Sequence, residues 1–289
     1  MTMATLYVVA TPIGNLSDIS PRALETLKSV ALIAAEDTRV TGNLLRHFDI
    51  HTPLTSLHRH NEADKSGGIV ERMLAEGIDV ALTTDAGTPA ISDPGNFLVR
   101  EAAEAGIEVL AIAGPSAMAA ALSVSGFDAR EFAFYGFMPR EKSDRVWKLQ
   151  KIARGPSVAV LHESPHRVTA LMESIAEALP GCVACVCCDL TKLYEKTIRG
   201  PAPKVLESLQ ANPNTDKGEY CVVLDMRAVE LPEPKNPPAN VEAALVSLMM
   251  KGMSMNDAVQ AAVQQGVRKN AAKRAAIQIR QWVRTFPLE

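Results

Sequence analysis

Short apolar runs alternate with amphipathic segments along this chain from residue 6 to about residue 225. Apolar runs of this length are typical of buried β-strands, and the sequence predicts such strands at Leu6–Ala10, Ala31–Ala35, Asp79–Thr83, Ile107–Ile112, Phe132–Tyr135, Ser157–His162, Val183–Cys188 and Tyr220–Asp225. Between them, helical patterns end just before a glycine, which tolerates the positive φ of a helix C-cap, at Ile69–Glu76, Phe97–Ala105 and Ala117–Ser125. This alternation predicts α/β layers with a largely parallel or mixed sheet.

Two further helices are predicted from Ser-Pro pairs, because serine caps a helix N-terminus and proline is favoured at its first position. Ser20-Pro21 opens a helix toward Val30, and Ser164-Pro165 opens a second one. The second helix carries its apolar residues on one face, which are Val168, Leu171, Met172, Ile175 and Leu179.

The chain changes character near residue 230. Residues 230–239 are rich in proline and predict a semi-extended linker that cannot pack as a helix. Three short helices are predicted beyond it, at roughly Val241–Lys251, Asn256–Gln265 and Asn270–Phe286. We therefore expect an N-terminal α/β domain over residues 1–124, a second α/β domain over 125–229, the linker, and a helix-turn-helix-like basic domain over 240–289.

The bulk composition argues against several classes of protein. The 289 residues are 47% hydrophobic and 22% charged, with a net charge of −3, so nothing global marks a nucleic-acid or membrane-surface binder. We expect no secretory signal at Met1–Val9 and no transmembrane helix, because no apolar stretch reaches about 18 residues. Four of the five cysteines crowd into Cys182–Cys188, which favours free thiols and a cytoplasmic location over a disulfide framework.

Two apparent metal motifs do not predict a metal site. His162-Glu-Ser-Pro-His166 matches the zinc-protease pattern H-E-x-x-H, but that chemistry needs both histidines on one continuous helix, and Pro165 cannot lie inside one. Cys182 and Cys185 match C-x-x-C within a strand-like segment, whose successive side chains point to opposite faces. We expect buried structural thiols there and no bound metal.

Three loops rich in glycine and proline each follow a predicted strand, at residues 10–20, 85–95 and 113–117. Glycine lets a ligand approach the backbone, and proline stiffens a loop so that binding orders it less. Such loops lie beyond the carboxyl ends of strands, where open α/β sheets bind ligands. The chain lacks the glycine fingerprints of dinucleotide-binding folds and phosphate-binding loops, and Gly114-Pro-Ser116 lacks the second glycine of a nucleophile elbow.

A series of motifs in order resembles the bacterial ribosomal RNA small subunit methyltransferase I family of the tetrapyrrole methylase-like superfamily. The resemblance covers roughly residues 6–225 and is carried by Ala10–Asn15, Ala35–Arg39, Asp85–Pro89, Ile91–Gly95, Gly114–Ser116, Glu163–Arg167 and Leu190–Lys192. Two departures stand out. His162 replaces the aromatic residue usual before Glu-Ser-Pro, and Cys187-Cys188-Asp189 replaces the usual Ala-Arg-Glu before Leu-Thr-Lys.

The resemblance implies S-adenosylmethionine as methyl donor and the ribose 2′-hydroxyl of a cytidine in small-subunit (16S) rRNA as acceptor. It also implies two α/β domains with the cofactor between them, and a homodimer. By motif match, the residues expected to bind the cofactor are Pro12, Ile13, Gly14, Asp85, Gly87, Thr88, Pro89, Ile91, Ser116 and Ala117.

A ribose hydroxyl is a weak nucleophile, so a base or a cation near it would help the transfer. Asp37 and Glu163 are candidate bases, and Arg39 and Lys192 are candidate cations. The plainer alternatives are a local ion pair for Asp37 and Arg39 and a helix-start carboxylate for Glu163. The C-terminal helix is basic without an acidic residue, which predicts RNA contacts from Arg268, Lys269, Lys273, Arg274, Arg280 and Arg284, or else a solvated face.

Two other functions stay open at this point. The same scaffold hosts methyltransferases that act on tetrapyrrole or corrinoid rings, and fold alone does not settle the substrate. A chain with a basic helical tail is also compatible with a non-catalytic RNA-binding factor in ribosome assembly. The first loop and the basic tail favour RNA over a macrocycle as the acceptor.

Overall fold

The computed structural model describes residues 4–231 and 240–285, with side chains described to residue 282. The chain divides into two compact units whose boundary lies between Glu230 and Leu231. Most of the predicted linker, residues 232–239, lies outside the described residues. Within the described ranges, no helix has the length and apolar character needed to cross a membrane.

The first unit begins with a five-stranded parallel sheet. Its strands are β1 (Thr5–Val9), β2 (Leu32–Ala35), β3 (Leu54–Ser56), β4 (Val80–Thr83) and β5 (Glu108–Ile112), in the order β3-β2-β4-β1-β5. The helices that follow these strands are α1 (Pro21–Ser29), α2 (Thr38–His47), α3 (Glu62–Glu76), α4 (Asn96–Glu104) and α5 (Ala117–Ser125). Because β1 lies between β4 and β5, the loops after these three strands leave the sheet side by side at one edge.

A mixed five-stranded sheet follows in the same unit. Its strands are β6 (Phe132–Phe137), β7 (Val158–Glu163), β8 (Val183–Cys188), β9 (Lys196–Pro201) and β10 (Tyr220–Asp225), in the order β6-β7-β10-β8-β9. Only β6 and β7 run parallel, and the other pairs are antiparallel. Helix α5 packs on the face of this sheet that carries Val160, Cys185 and Val223. The remaining helices are α6 (Lys142–Ile152), α7 (Pro165–Ala178) and α8 (Ala202–Gln210).

The predicted α/β architecture is confirmed, and each predicted strand is present within a few residues of its expected bounds. Strands β3 and β9 were not predicted, because β3 has three residues and β9 is an edge strand with mostly exposed side chains. Helices α2, α6 and α8 were not predicted either. Helix α3 starts at Glu62, well before the predicted Ile69. The prediction missed its first turns because Gly67 and Gly68 interrupt the apolar pattern there.

The second unit holds helices α9 (Val241–Met250), α10 (Met255–Gln264) and α11 (Lys269–Thr285). Asn240 and Ser254 cap the first two helices, with side-chain oxygens that accept from backbone N–H groups in the first turn. The three helices pack around a small core made largely of alanine, together with Leu245, Val267 and Ile279. Small side chains let the helices approach closely, so few residues suffice for this core.

Candidate functional site

The three glycine- and proline-rich loops are bonded to one another at the carboxyl edge of the first sheet. Thr11 and Gly87 exchange two backbone hydrogen bonds, of 2.9 and 3.0 Å, which join the first loop to the second. Gly87 has a φ of +82°, a conformation that glycine adopts at little cost. The Thr88 hydroxyl donates to the Pro115 carbonyl at 3.4 Å and so links the second loop to the third.

The first loop also reaches the second sheet. The backbone N–H of Asn15 donates to the Thr191 hydroxyl at 3.0 Å. The Leu190–Lys192 segment follows strand β8, so this bond ties the two halves of the first unit together. The predicted motifs at Ala10–Asn15 and Leu190–Lys192 are therefore in contact, although they are far apart in sequence.

A cavity of about 380 Å³ lies among these loops, within the range of small-molecule sites. Both halves of the first unit contribute to its walls. Its lining residues are Ile13, Ala86, Gly87, Thr88, Ile91, Ser92, Asp93, Ser116, Ala117, Met118, Phe134, Phe137, His162, Glu163, Ser164, Pro165, Leu190, Glu219, Tyr220 and Cys221. Apolar walls with a few polar groups are suited to a small organic ligand.

Most of the residues predicted to bind a cofactor line this cavity. These are Ile13, Gly87, Thr88, Ile91, Ser116 and Ala117. Pro12, Gly14, Asp85 and Pro89 belong to the same loops but are not among the lining residues. Ser116 caps helix α5, and its hydroxyl accepts from the Ala119 N–H, so the helix N-terminus faces the same cavity.

Asp37 and Arg39 form a local ion pair outside the lining of the cavity. Asp37 caps helix α2 by accepting from the backbone N–H of Arg39 at 2.8 Å, and the guanidinium lies 2.6 Å from its other carboxylate oxygen. The side-chain hydrogen bond from Arg39 lowers the pKa of Asp37 to about 2. The plainer alternative, a helix-capping ion pair, describes what these two side chains do in the structure.

Asp93, a carboxylate that the sequence did not single out, lies in the cavity wall. Asp93 is half-buried, and burial together with the nearby Glu36 carboxylate raises its pKa to about 6. Glu36 accepts a hydrogen bond from the Thr84 hydroxyl at 2.6 Å, and Asp85 accepts from the backbone N–H of Asp37 at 3.1 Å. Asp93 belongs to the Ile91–Gly95 motif, but its burial depends on contacts that no local pattern reveals.

Glu163 lies at the end of strand β7 with a fully buried side chain. Its carboxylate accepts from the backbone N–H of Ser164 at 2.9 Å and pairs with the Arg167 guanidinium at 3.1 Å. Burial raises the pKa of Glu163. These contacts hold the start of helix α7 at the cavity wall. They are the contacts expected of a carboxylate at a helix start, the plainer alternative for Glu163.

Lys192 lies between two carboxylates, at 3.1 Å from Asp189 and 2.9 Å from Glu219. Glu219 lines the cavity, so the lysine is anchored at its rim. Asp189 has a φ of +51° and also accepts from the backbone N–H of Glu219. Asp189 therefore holds the turn that carries Lys192.

The apparent metal motifs are divided between elements. His162 lies in strand β7, Pro165 opens helix α7 as predicted, and His166 is an exposed residue of that helix. Cys185 and Cys187 share one face of β8, with their sulfur atoms 3.9 Å apart. Across residues 4–231 and 240–285, no group of histidine, cysteine and acidic side chains is arranged to hold a metal ion.

The basic residues of the second unit lie on its surface. Arg268, Lys269, Lys273, Arg274 and Arg280 are exposed, whereas the side chain of Arg284 lies outside the described residues. Trp282 is 67% exposed on the same helix, α11. Exposed cations and exposed aromatic side chains are both common on surfaces that contact RNA.

Comparisons with known proteins agree with this geometry. The family described as "Tetrapyrrole (Corrin/Porphyrin) Methylases" matches residues 5–206. A protein of Pseudomonas aeruginosa named ribosomal RNA small subunit methyltransferase I is 45% identical over 226 residues, which are 78% of this chain and 79% of that protein. A Synechocystis protein of the same name is 42% identical over 259 residues, or 89% and 91% of the two chains. The crystal structure of the methyltransferase CobJ matches the fold with a TM-score of 0.58 at 18% identity, over 80% of this chain and 98% of that chain.

Proposed function

Because the chain belongs to the tetrapyrrole methylase family, and within it to the ribosomal RNA small subunit methyltransferase I family, we propose that it methylates small-subunit rRNA. The methyl donor in this proposal is S-adenosylmethionine, and the acceptor is the ribose 2′-hydroxyl of a cytidine. The observation that carries it is the 42–45% identity to relatives of that name, together with the family match over residues 5–206, which includes the three loops that build the cavity.

The residues around the cavity fit the proposed cofactor. A nucleoside needs apolar walls, and Ile13, Leu190 and Met118 supply them. The amino-acid part needs polar partners, which backbone groups of Thr88 and Ser116 offer, because the N–H and C=O of Gly87 are paired with Thr11. Gly87 has a φ of +82°, which residues with side chains rarely adopt, so glycine maintains the course of this loop along the cavity wall.

When bound, S-adenosylmethionine supplies an electrophilic methyl group together with its own leaving group. The protein's task is then to orient the acceptor hydroxyl, which in the best model reactions supplies about 7–11 kcal/mol. Loops that are bonded to one another, as Thr11 is to Gly87, suit this task because little order is lost on binding.

Proton removal from the acceptor hydroxyl needs a base that is ionised at neutral pH and reachable from the cavity. Asp93 meets both conditions, since it lines the cavity and its pKa of about 6 leaves it largely ionised at pH 7. Asp37 and Glu163 remain candidates, but their carboxylates are engaged by Arg39 and Arg167. Lys192, at the rim, is the better placed of the two candidate cations, because Arg39 is not among the lining residues.

RNA contacts are assigned in this proposal to the basic surface of the second unit, with Arg268, Lys269, Lys273, Arg274, Arg280 and Arg284. Cations on one surface bind the phosphate backbone without reading sequence, and such binding weakens with salt. The same proposal includes a homodimer in solution, which light scattering tests, and a cytoplasmic place of action on ribosomal subunits.

Transfer of labelled methyl from S-adenosylmethionine to isolated small ribosomal subunits is the direct test. We expect label in the rRNA, and nuclease digestion should recover it as 2′-O-methylcytidine. Incubation with a precorrin should give no labelled product. Label in the precorrin would favour a macrocycle methyltransferase, and binding to subunits without any transfer would favour an assembly factor.

A further inference from the structure

A β-bulge in strand β6 turns two aromatic side chains toward the same cavity. Phe134 pairs in register with Val160 of β7, but the register then shifts so that Phe137 pairs with His162. Phe134 and Phe137 are three residues apart, and in a regular strand such side chains point to opposite faces. The bulge between Phe134 and Gly136, where Gly136 has a φ of +59°, places both phenyl side chains on the same face of the sheet. Both side chains line the cavity.

His162 completes this group of rings on the neighbouring strand. Its ring centroid lies 4.9 Å from that of Phe134 and 6.0 Å from that of Phe137, with interplanar angles of 68° and 73°. Edge-to-face packing of this kind holds three rings as a rigid wall, which we call the ring wall. Phe137 is 56% exposed, so the ring wall extends from the cavity to its open side.

The imidazole also brings polar atoms to the ring wall. Its Nε2 is buried and has no hydrogen-bond partner among residues 4–231 and 240–285. Burial lowers the pKa of His162 and so favours the neutral ring, which carries one N–H donor and one nitrogen acceptor. A buried unpaired nitrogen costs free energy, which a ligand with a complementary edge would recover.

We propose that Phe134, Phe137 and His162 bind an amino-substituted nucleobase, which stacks on a phenyl ring and donates a hydrogen bond from its amino group to Nε2 of the imidazole. This inference rests on the proposed function, which supplies two such bases: the adenine of S-adenosylmethionine and the cytosine of the acceptor. Both carry an exocyclic amino group, whose N–H can donate to the unpaired Nε2 of a neutral imidazole that carries its proton on Nδ1.

The test uses the full-length chain and the variants Phe137→Ala, His162→Ala and His162→Phe. Phe132→Ala is the matched control on the same strand, since Phe132 is 40% exposed and does not line the cavity. His166→Ala is the control for loss of an exposed histidine. Thermal unfolding of each variant establishes that it folds, and His162→Phe keeps a ring where His162→Ala could disturb packing.

Two measurements distinguish the sources of the base. The dissociation constant for S-adenosylhomocysteine is measured by calorimetry, and the KM for small subunits is measured by labelled methyl transfer. Loss of a stacking ring should raise the constant for the partner that stacks on it by about 5- to 150-fold. A rise in the first constant assigns the ring wall to adenine, and a rise in the second alone assigns it to the acceptor base.

Base-edge recognition has its own readout. The wild-type chain should bind S-adenosylhomocysteine more tightly than its inosine analogue, or methylate subunits with cytidine faster than subunits with uridine at the acceptor position. His162→Phe should lose that preference and keep the stacking. The proposed role of the ring wall is overturned if the wild-type enzyme methylates subunits and the ring-wall variants match the controls within about twofold in both constants. That result would leave the proposed function standing.

Discussion

Gly14 of the first loop lies directly against Lys192 of the second half of the same unit. A Cβ added at Gly14 would be 2.5 Å from Cγ of Lys192, 2.9 Å from the Thr191 hydroxyl and 3.0 Å from the Leu190 carbonyl. The first of these distances is far shorter than a carbon–carbon contact allows. The lack of a side chain at Gly14 therefore permits the two halves to meet beside the cavity.

Gly14→Ala should separate these segments and widen the cavity. We expect the dissociation constant for S-adenosylhomocysteine to rise at least about tenfold, because the loop that carries Ile13 moves with Gly14. Calorimetry measures this constant. Gly68→Ala is the control, because a Cβ there meets nothing within 4 Å and alanine favours the helix α3 that holds it. Equal binding by both variants would contradict the close approach of Gly14 to Lys192.

Asp93→Asn should remove the acidic limb of the pH–rate profile. If ionised Asp93 accepts the hydroxyl proton, kcat/KM of the wild-type enzyme rises with pH around its pKa of about 6, and the variant loses about 10²–10⁴-fold in kcat. Binding of S-adenosylhomocysteine should stay within about threefold of wild type. A variant with normal kcat and an unchanged limb would exclude Asp93 as the base.

Asp93→Asn should also change how stability depends on pH. Burial raises the pKa of Asp93 from 3.8 to about 6, so its stabilising contribution is present below pH 3.8 and is lost as the pH rises through about 6. The variant should therefore gain stability relative to wild type between pH 4 and pH 8. We expect a gain of about 1 kcal/mol, since solvent screens a half-buried group. Urea unfolding at both pH values measures it.

Glu163→Gln tests whether the buried carboxylate acts in the chemistry or holds helix α7. A structural role predicts that Glu163→Ala, which removes the acceptor of the Ser164 N–H and the partner of Arg167, lowers the free energy of unfolding by about 1–3 kcal/mol. Glu163→Gln should change it less, because Gln keeps an acceptor oxygen and removes the charge that burial disfavours. If the role is structural, kcat measured well below the melting temperature should stay near wild type. If Glu163→Gln and Asp37→Asn both keep full turnover with intact cofactor binding, neither residue is the base.

The basic surface of α11 should control the salt dependence of binding to ribosomal subunits. Substitution of Lys269, Lys273, Arg274 and Arg280 by alanine should lower the slope of log K against log[salt] by about 0.7 for each RNA phosphate that the variant no longer neutralises. Affinity for S-adenosylhomocysteine should not change. The matched control is Lys204→Ala, an exposed lysine paired with Glu207 on α8. An unchanged slope would show that α11 does not bind the RNA.

Much of the site was predictable because its loops follow strands in the sequence. The apolar runs before Thr11, Asp85 and Ala113 predicted strands, and the glycines and prolines after them predicted ligand-binding loops. Within these loops the family resemblance implied Ile13, Gly87, Thr88 and Ser116 as cofactor-binding residues, and all four line the cavity. Asp93 and Phe137 were not singled out, because the raised pKa of Asp93 comes from burial and from the Glu36 carboxylate, and the direction of the Phe137 side chain depends on a bulge in β6.

The sequence by itself determined the local elements, since strand and helix periodicity, caps and glycine stops act over a few residues. The tertiary structure decided which of those elements meet. The position of β1 between β4 and β5 brings the three loops to one edge, and the close approach of Gly14 to Lys192 closes them against the second sheet. Strand order and close backbone approach are set by packing between distant segments, and for that reason no local pattern contains them.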